Sequence, residues 1–158
     1  MDKTTVVART FRDLTVYQLA RQTAGEIYQF TTLPVDERYA LSDQIRRSSR
    51  AVKAMIAEAW GRRRYKAVFI SKLDEALGEI TETESWLDDA SDAGYLKPDQ
   101  FNSLNSACVS VGRMLSRMID RADDFCKHIP ATDYRSVESR VSDDPQKYGA
   151  NGLEEFFK

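Results

Sequence analysis

From Phe11 to Arg121 apolar side chains recur at steps of three and four, and no run of strict alternation interrupts them. That period belongs to amphipathic helices rather than strands. Phe11, Leu14, Tyr17, Ala20, Ala24, Ile27 and Tyr28 mark a first helix over residues 13–31, with Asp13 as its cap. The stretch "TTLP" ends it, because the residue before Pro34 is driven out of the helical region. A second helix over 36–60 carries Leu41, Ile45, Val52, Ile56 and Ala59 and stops at Gly61. The third starts near Tyr65 and carries Phe69, Leu73, Ala76, Leu77, Ile80 and Leu87. It meets "DAGYLKPD", where Gly94 is the stop and Pro98 the restart. In the fourth, over 99–121, Phe101, Leu104, Cys108, Val111, Leu115 and Met118 form a near-heptad seam.

Short loops between four such helices predict an all-α fold, an antiparallel up-down-up-down four-helix bundle. The bundle spans 11–121, after an N-terminal segment over 1–10. From Ala122 the pattern dissolves, and 122–158 reads as a partly ordered C-terminal tail. Leu153, Phe156 and Phe157 sit there at helical spacing, suited either to a partner or neighbouring subunit or to the chain's own bundle.

The totals agree with one domain. A chain of 158 residues can bury a continuous core without disulfides or a structural metal. Its 42% apolar and 30% charged content is that of a globular protein. No window approaches the roughly 18 uninterrupted apolar residues of a membrane helix, and "MDKTTVVART" lacks the apolar core of a signal peptide. The expectation is a cytoplasmic protein with no membrane contact. Cys108, on the apolar stripe, and Cys126 can build neither a disulfide framework nor a thiolate zinc site.

Catalysis finds no foothold in the pattern. A carboxylate-lined bundle invites a di-iron site, but that needs Glu-x-x-His pairs, and the single histidine, His128, lies outside the bundle. Gly-rich phosphate loops, Gly-x-Ser-x-Gly elbows and Cys/His pairs in catalytic context are missing from the sequence. Glu82 and Glu84, two residues apart on a helix, point to different sides. Glu84, near the seam, needs a hydrogen-bond partner. We therefore expect no enzyme, no cofactor and no metal.

Charge is where the sequence becomes specific. In "QIRRSSRAVKAMIAEAWGRRRYK", Gln44 to Lys66, eight basic residues face one acid, a balance of +7 in a chain whose net charge is −2. Arg46, Arg47, Arg50 and Lys53 gather on the side of the second helix away from Ile45. Arg62, Arg63, Arg64 and Lys66 crowd the turn that follows. From Asp74 to Asp92 the third helix carries eight acids and no Lys or Arg. A hairpin centred on Arg63 would bring Arg46 or Arg47 within reach of Glu79 and Glu82, spending part of the basic face on pairs that orient helices more than they stabilise them. The turn cluster has only itself opposite and should attract phosphate. Trp60 beside it either stacks on a base or plugs the bundle end. Trp86 and Tyr95 read as core or subunit-contact residues.

Several stretches resemble a known family. "FRDLTVYQLA" resembles F-x-x-L-x-V-[WY]-x-x-A. "IYQFTTLPVDERYALSDQIRRSS" resembles I-Y-x-x-T followed by Pro, an acid, Tyr-x-Leu and Q-I-R-R. "IAEAWGR", "FISKLDEALGEITETESWL" and "AGYL" resemble I-A-E-G-x-x-R, F-x-x-x-L-x-x-A-x-G with a trailing E-x-E, and the close of the third helix. Together they resemble the bacterial four-helix-bundle family of 23S rRNA intervening-sequence proteins, over 11 to about 120. The resemblance implies a bundle assembled into a homo-pentameric ring and associated with ribosomal RNA. It also implies a distant relation to accessory proteins of diversity-generating retroelements, rings that bind nucleic acid and a reverse transcriptase. Gln44, Arg46, Arg47, Glu58, Arg62, Glu82 and Glu84 occupy the family's polar motif positions. Met55, Ala59 and Glu79 stand where the family has Asn, Gly and Ser, and the acid at Glu79 works against RNA at that spot.

Two functions follow as expectations. One is a non-enzymatic homo-oligomer that binds rRNA or another nucleic acid through Arg46, Arg47, Arg50, Lys53, Arg62, Arg63, Arg64 and Lys66. The other is an assembly or adaptor protein with a protein partner and no nucleic-acid role. A solvent-facing turn favours the first, and a turn buried between subunits favours the second.

Overall fold

A computed structural model describes residues 8–126. Four long helices, α1 (Thr15–Phe30), α2 (Asp43–Gly61), α3 (Lys66–Asp92) and α4 (Pro98–Asp120), are followed by a short α5 (Ala122–Cys126). No strand occurs among the described residues, so the fold is the all-α bundle that the periodicity predicts. The first five residues of the expected tail are α5. The remainder, with His128, Leu153, Phe156 and Phe157, lies outside the described residues.

Each long helix packs on two others: α1 and α3 both lie against α2 and α4. The residues between them are those at steps of three and four. Ile27, Ile45, Val52, Ile56, Phe69, Leu73, Leu87, Cys108, Val111 and Leu115 are all fully buried. Burial pushes the Cys108 thiol up to about 12, so at neutral pH it is an apolar core side chain.

Helices α2 and α3 run antiparallel, with Ser48 Oγ 2.9 Å from Thr83 Oγ1 and Lys72 Nζ 3.5 Å from Glu58. That register differs by about one helical turn from a hairpin centred on Arg63, which would set Ser48 opposite Gly78. Two backbone hydrogen bonds mark the connection between the helices. The Arg62 N–H reaches the Glu58 carbonyl at 2.9 Å and the Tyr65 N–H reaches the Arg62 carbonyl at 2.9 Å, so α3 starts only at Lys66. The Thr83 hydroxyl is also 2.8 Å from the Glu79 carbonyl. If Thr83 gives its one proton to that carbonyl, Ser48 donates across, and two buried hydroxyls are satisfied.

Local chemistry explains where the helices begin and end. Asp13 is not the cap of α1: its carboxylate accepts the N–H groups of Arg9 at 2.9 Å and Thr10 at 2.7 Å, closing a 3-10 turn over Phe11–Asp13. Those backbone bonds hold its carboxyl below the usual carboxylate range. Leu14 precedes α1 instead, and the Gln18 side-chain amide donates to the Arg12 carbonyl at 2.9 Å. Before α2 the chain winds as a wide π turn over Arg38–Ser42, which turns two consecutive residues, Leu41 and Ser42, inward.

Helix α3 ends on Gly94, whose φ is 76°. The Tyr95 N–H returns to the Ala90 carbonyl at 2.9 Å and the Gly94 N–H to the Ser91 carbonyl at 3.0 Å, the paired bonds of a Schellman stop. A Cβ at Gly94 would meet no atom within 4 Å, so only the backbone opposes a side chain there. Gly94→Ala is expected to cost about 1–2 kcal/mol, read as a lower urea midpoint with an unchanged m value.

Candidate functional site

The cations of α2 divide by what holds them. Arg46 does not reach Glu79 or Glu82. Its Nε donates to Thr31 Oγ1 at 2.7 Å and its Nη2 to the Thr31 carbonyl at 2.8 Å, and its guanidinium lies 4.4 Å from the centre of the Tyr28 ring. A helix C-terminus leaves carbonyls without intrahelical donors and carries partial negative charge. Arg46 answers both at the end of α1, and Thr31 Oγ1 in turn donates to the Ile27 carbonyl at 2.9 Å. Arg50, one turn on, sits 5.2 Å from the same ring.

Exposed Arg47 and half-buried Lys53 make no ion pair with a carboxylate among the described residues. Arg47 lies close enough to Glu79 to favour its charged form, but burial and Glu82 outweigh it and push the Glu79 carboxyl upward. Gln44 is half-buried near the start of α2.

The α2–α3 turn is less bare than its sequence suggests. Arg62 pairs with Glu58 at 3.3 Å, and Lys72 bridges Glu58 at 3.5 Å and Glu75 at 2.8 Å. Lys66 pairs at 3.0 Å with Asp123 of α5, a carboxylate that the sequence assigns to the tail. Arg63 donates to the Trp60 carbonyl at 2.7 Å and lies 4.0 Å from the Trp60 ring. Trp60 itself packs partly against the core, so it has both an inner and an outer neighbour. Arg64 is exposed and without an ion pair to a described carboxylate.

Helix α1 supplies residues that the charge pattern alone did not single out. Tyr17, Arg21 and Tyr28 fall on one side of it by helical spacing. Tyr28 meets Arg46 and Arg50, so this side borders α2. Nearer the start of α1, Arg12, Tyr17, Gln18, Arg21 and Gln22 line an open cleft of about 500 Å³. The carboxylates of these helices mostly lie elsewhere: Glu26 borders the α1–α4 cleft, and Glu58 is held by Arg62 and Lys72. Asp43 sits one turn before Arg46. The face spanning α1 and α2 is therefore cationic, with tyrosine and tryptophan among its cations. The sequence places Tyr28 on the apolar stripe of the first helix, but it is 47% exposed; the step of seven from Arg21 to Tyr28, in phase with Tyr17, is the signal that groups them.

Helix α3 shows the opposite sign. Asp74, Glu82, Asp88, Asp89 and Asp92 are exposed, and Glu82 accepts the Trp86 Nε1 hydrogen at 3.0 Å. Trp86 and Tyr95 both pack partly against the core, and the Tyr95 hydroxyl donates to Glu37 at 3.3 Å. Glu84 lines an α3–α4 groove with Leu77, Ile80, Gly112, Arg113 and Arg117. Burial, then the neighbouring Asp88, raises its carboxyl above the usual range.

Residues 12–117 match the 23S rRNA-intervening sequence protein family. The chain belongs to that family. Among solved structures it is similar to a protein of unknown function from the S23 ribosomal protein family of Bacteroides thetaiotaomicron VPI-5482. The two share 32% identity over 66% of this chain and 98% of that one, with a TM-score of 0.59. No match was found among curated proteins. The part matching the 23S rRNA-intervening sequence family includes Arg12, Arg21, Tyr28 and the whole cationic side of α2, and ends before α5. No helix among the described residues is long and apolar enough to cross a membrane.

A carboxyl whose folded pKa is raised binds more protons folded than unfolded, so its contribution to stability is greatest below the unfolded pKa and is lost as pH rises through the folded one. Glu84→Gln should therefore raise the melting temperature at pH 7 and leave it unchanged in acid, below the usual carboxylate range, as thermal melts across pH would show.

Proposed function

We propose that this chain is a non-enzymatic, homo-oligomeric bundle that binds nucleic acid, ribosomal RNA in the first place, through phosphate contacts on the cationic side of α2 and at the α2–α3 turn. The observation that carries the reading is the state of Arg47, Arg50, Lys53 and Arg64. None of them is ion-paired to a carboxylate among the described residues, although acid-rich α3 is packed against α2. Cations without a carboxylate ion pair, even where Arg47 comes near Glu79, project positive potential outward, and a polyanionic phosphate backbone releases condensed counterions on meeting it. Arg62 and Lys66, already paired, contribute less. Membership of a family described by 23S rRNA intervening sequences makes rRNA the first ligand to try.

The test is fluorescence anisotropy of a labelled 23S rRNA hairpin from about 50 to 200 mM salt, a range over which phosphate contacts weaken steeply. Wild type is compared with the variant Arg47→Ala, Arg50→Ala, Lys53→Ala, Arg64→Ala. Binding that weakens with salt, with a log–log slope shallower by about 3 in the variant, is the expected result for four lost phosphate contacts. Absence of saturable binding at the lowest salt would overturn the reading and leave the cationic face to a protein partner.

A further inference from the structure

The cationic face carries two arginine–aromatic stacks, and both are held in place before any ligand arrives. At one end the Tyr28 ring, 47% exposed, lies 4.4 Å from the guanidinium of half-buried Arg46, which is pinned by two hydrogen bonds to Thr31. At the other end the Trp60 ring lies 4.0 Å from Arg63, which is held by the Trp60 carbonyl at 2.7 Å. Residues 46, 50, 53, 57 and 60 follow steps of four and three, so both stacks and Lys53 share one side of α2. Arg46 and Trp60 are about 21 Å apart along the axis at 1.5 Å per residue. Between the stacks lie Lys53 and the small side chain of Ala57, which leave the stretch low and charged.

Phosphate recognition alone needs no such stacks. A duplex offers side chains its phosphates, hydroxyls and base edges while its bases stay paired and stacked, their faces covered by one another. Unpaired bases instead stack on aromatic rings and on guanidinium planes. A guanidinium already fixed over a ring presents such a plane with little ordering left to lose.

We infer that the α1–α2 face binds unpaired nucleobases of a single-stranded segment, with the Tyr28–Arg46 and Trp60–Arg63 stacks as platforms and Lys53 on the phosphates between them. This rests on the nucleic-acid reading above and narrows it to loops, bulges and single strands.

The experiment compares a labelled single strand of about 16 nucleotides, the upper end of single-strand site sizes, with a duplex of the same length at equal salt. Wild type should prefer the single strand by about 10-fold or more. Tyr28→Leu should weaken single-strand binding by about 5- to 100-fold and leave the salt slope and duplex binding unchanged, while Tyr28→Phe should behave as wild type. A Trp86→Phe background isolates Trp60, whose fluorescence should be quenched by the single strand and not by the duplex. That reading holds even where Tyr28→Leu perturbs folding. Equal binding of both ligands, or unchanged single-strand affinity in folded Tyr28→Leu without Trp60 quenching, would overturn the platforms and spare phosphate binding. Binding of neither ligand would overturn the phosphate reading itself.

Discussion

Phe69→Ala is expected to destabilise the protein by about 3–5 kcal/mol, the cost of emptying a fully buried phenylalanine site that relaxes only partially. Phe69 is 0% exposed, lies in the first turn of α3, and stacks on Phe125 of α5 with ring centroids 5.7 Å apart and planes at 26°. Against a typical total of about 5–15 kcal/mol, that loss lowers the urea midpoint severely. Phe125→Ala removes a half-buried ring from the same stack and should cost about 1–2 kcal/mol. The double variant should cost less than the two single changes together, because each single change already abolishes the shared contact. Strict additivity in urea melts would show that the Phe69–Phe125 stack itself adds nothing to stability.

Arg46→Ala should cost about 1.5–3 kcal/mol, the range for hydrogen bonds to a charged group. The loss comes from the end of α1, since Thr31 is 2% exposed and both its hydroxyl and its carbonyl accept from this one guanidinium. Arg46→Lys keeps the charge near the helix terminus but cannot span both acceptors in one plane, so it should recover no more than about half of the loss. Full recovery by lysine in urea melts would mean that charge, and not the fork of two donors, holds the loop after α1. For Arg46 a loss of stability and a loss of RNA affinity are thus expected together, whereas Arg47→Ala should weaken binding and change stability by no more than about 1 kcal/mol, through Glu79.

The difference between those two arginines shows what a sequence pattern can carry. Both were legible as members of one cationic face, because a period of 3.6 residues fixes the side of the helix on which each lies. Their partners were not. Arg46 reaches Thr31, fifteen residues earlier, across a loop whose path depends on a proline break and a π turn. Neither yields to helical periodicity. Likewise, Lys66 looked unpaired because its carboxylate, Asp123, belongs to five residues too short to show a period of their own.

The sequence by itself determined the number of long helices, their apolar stripes, the stop at Gly94, the burial of Cys108 and the separation of charge between α2 and α3. All of these follow from local rules: side-chain period, backbone preference and composition. Only the tertiary structure decided the α2–α3 register, the Ser48–Thr83 contact, the docking of Phe125 on Phe69 and the stacking of Tyr28 with Arg46. Each of these depends on where two separate segments meet. One helical turn more or less in a connection leaves every apolar stripe facing inward while changing every partner along it.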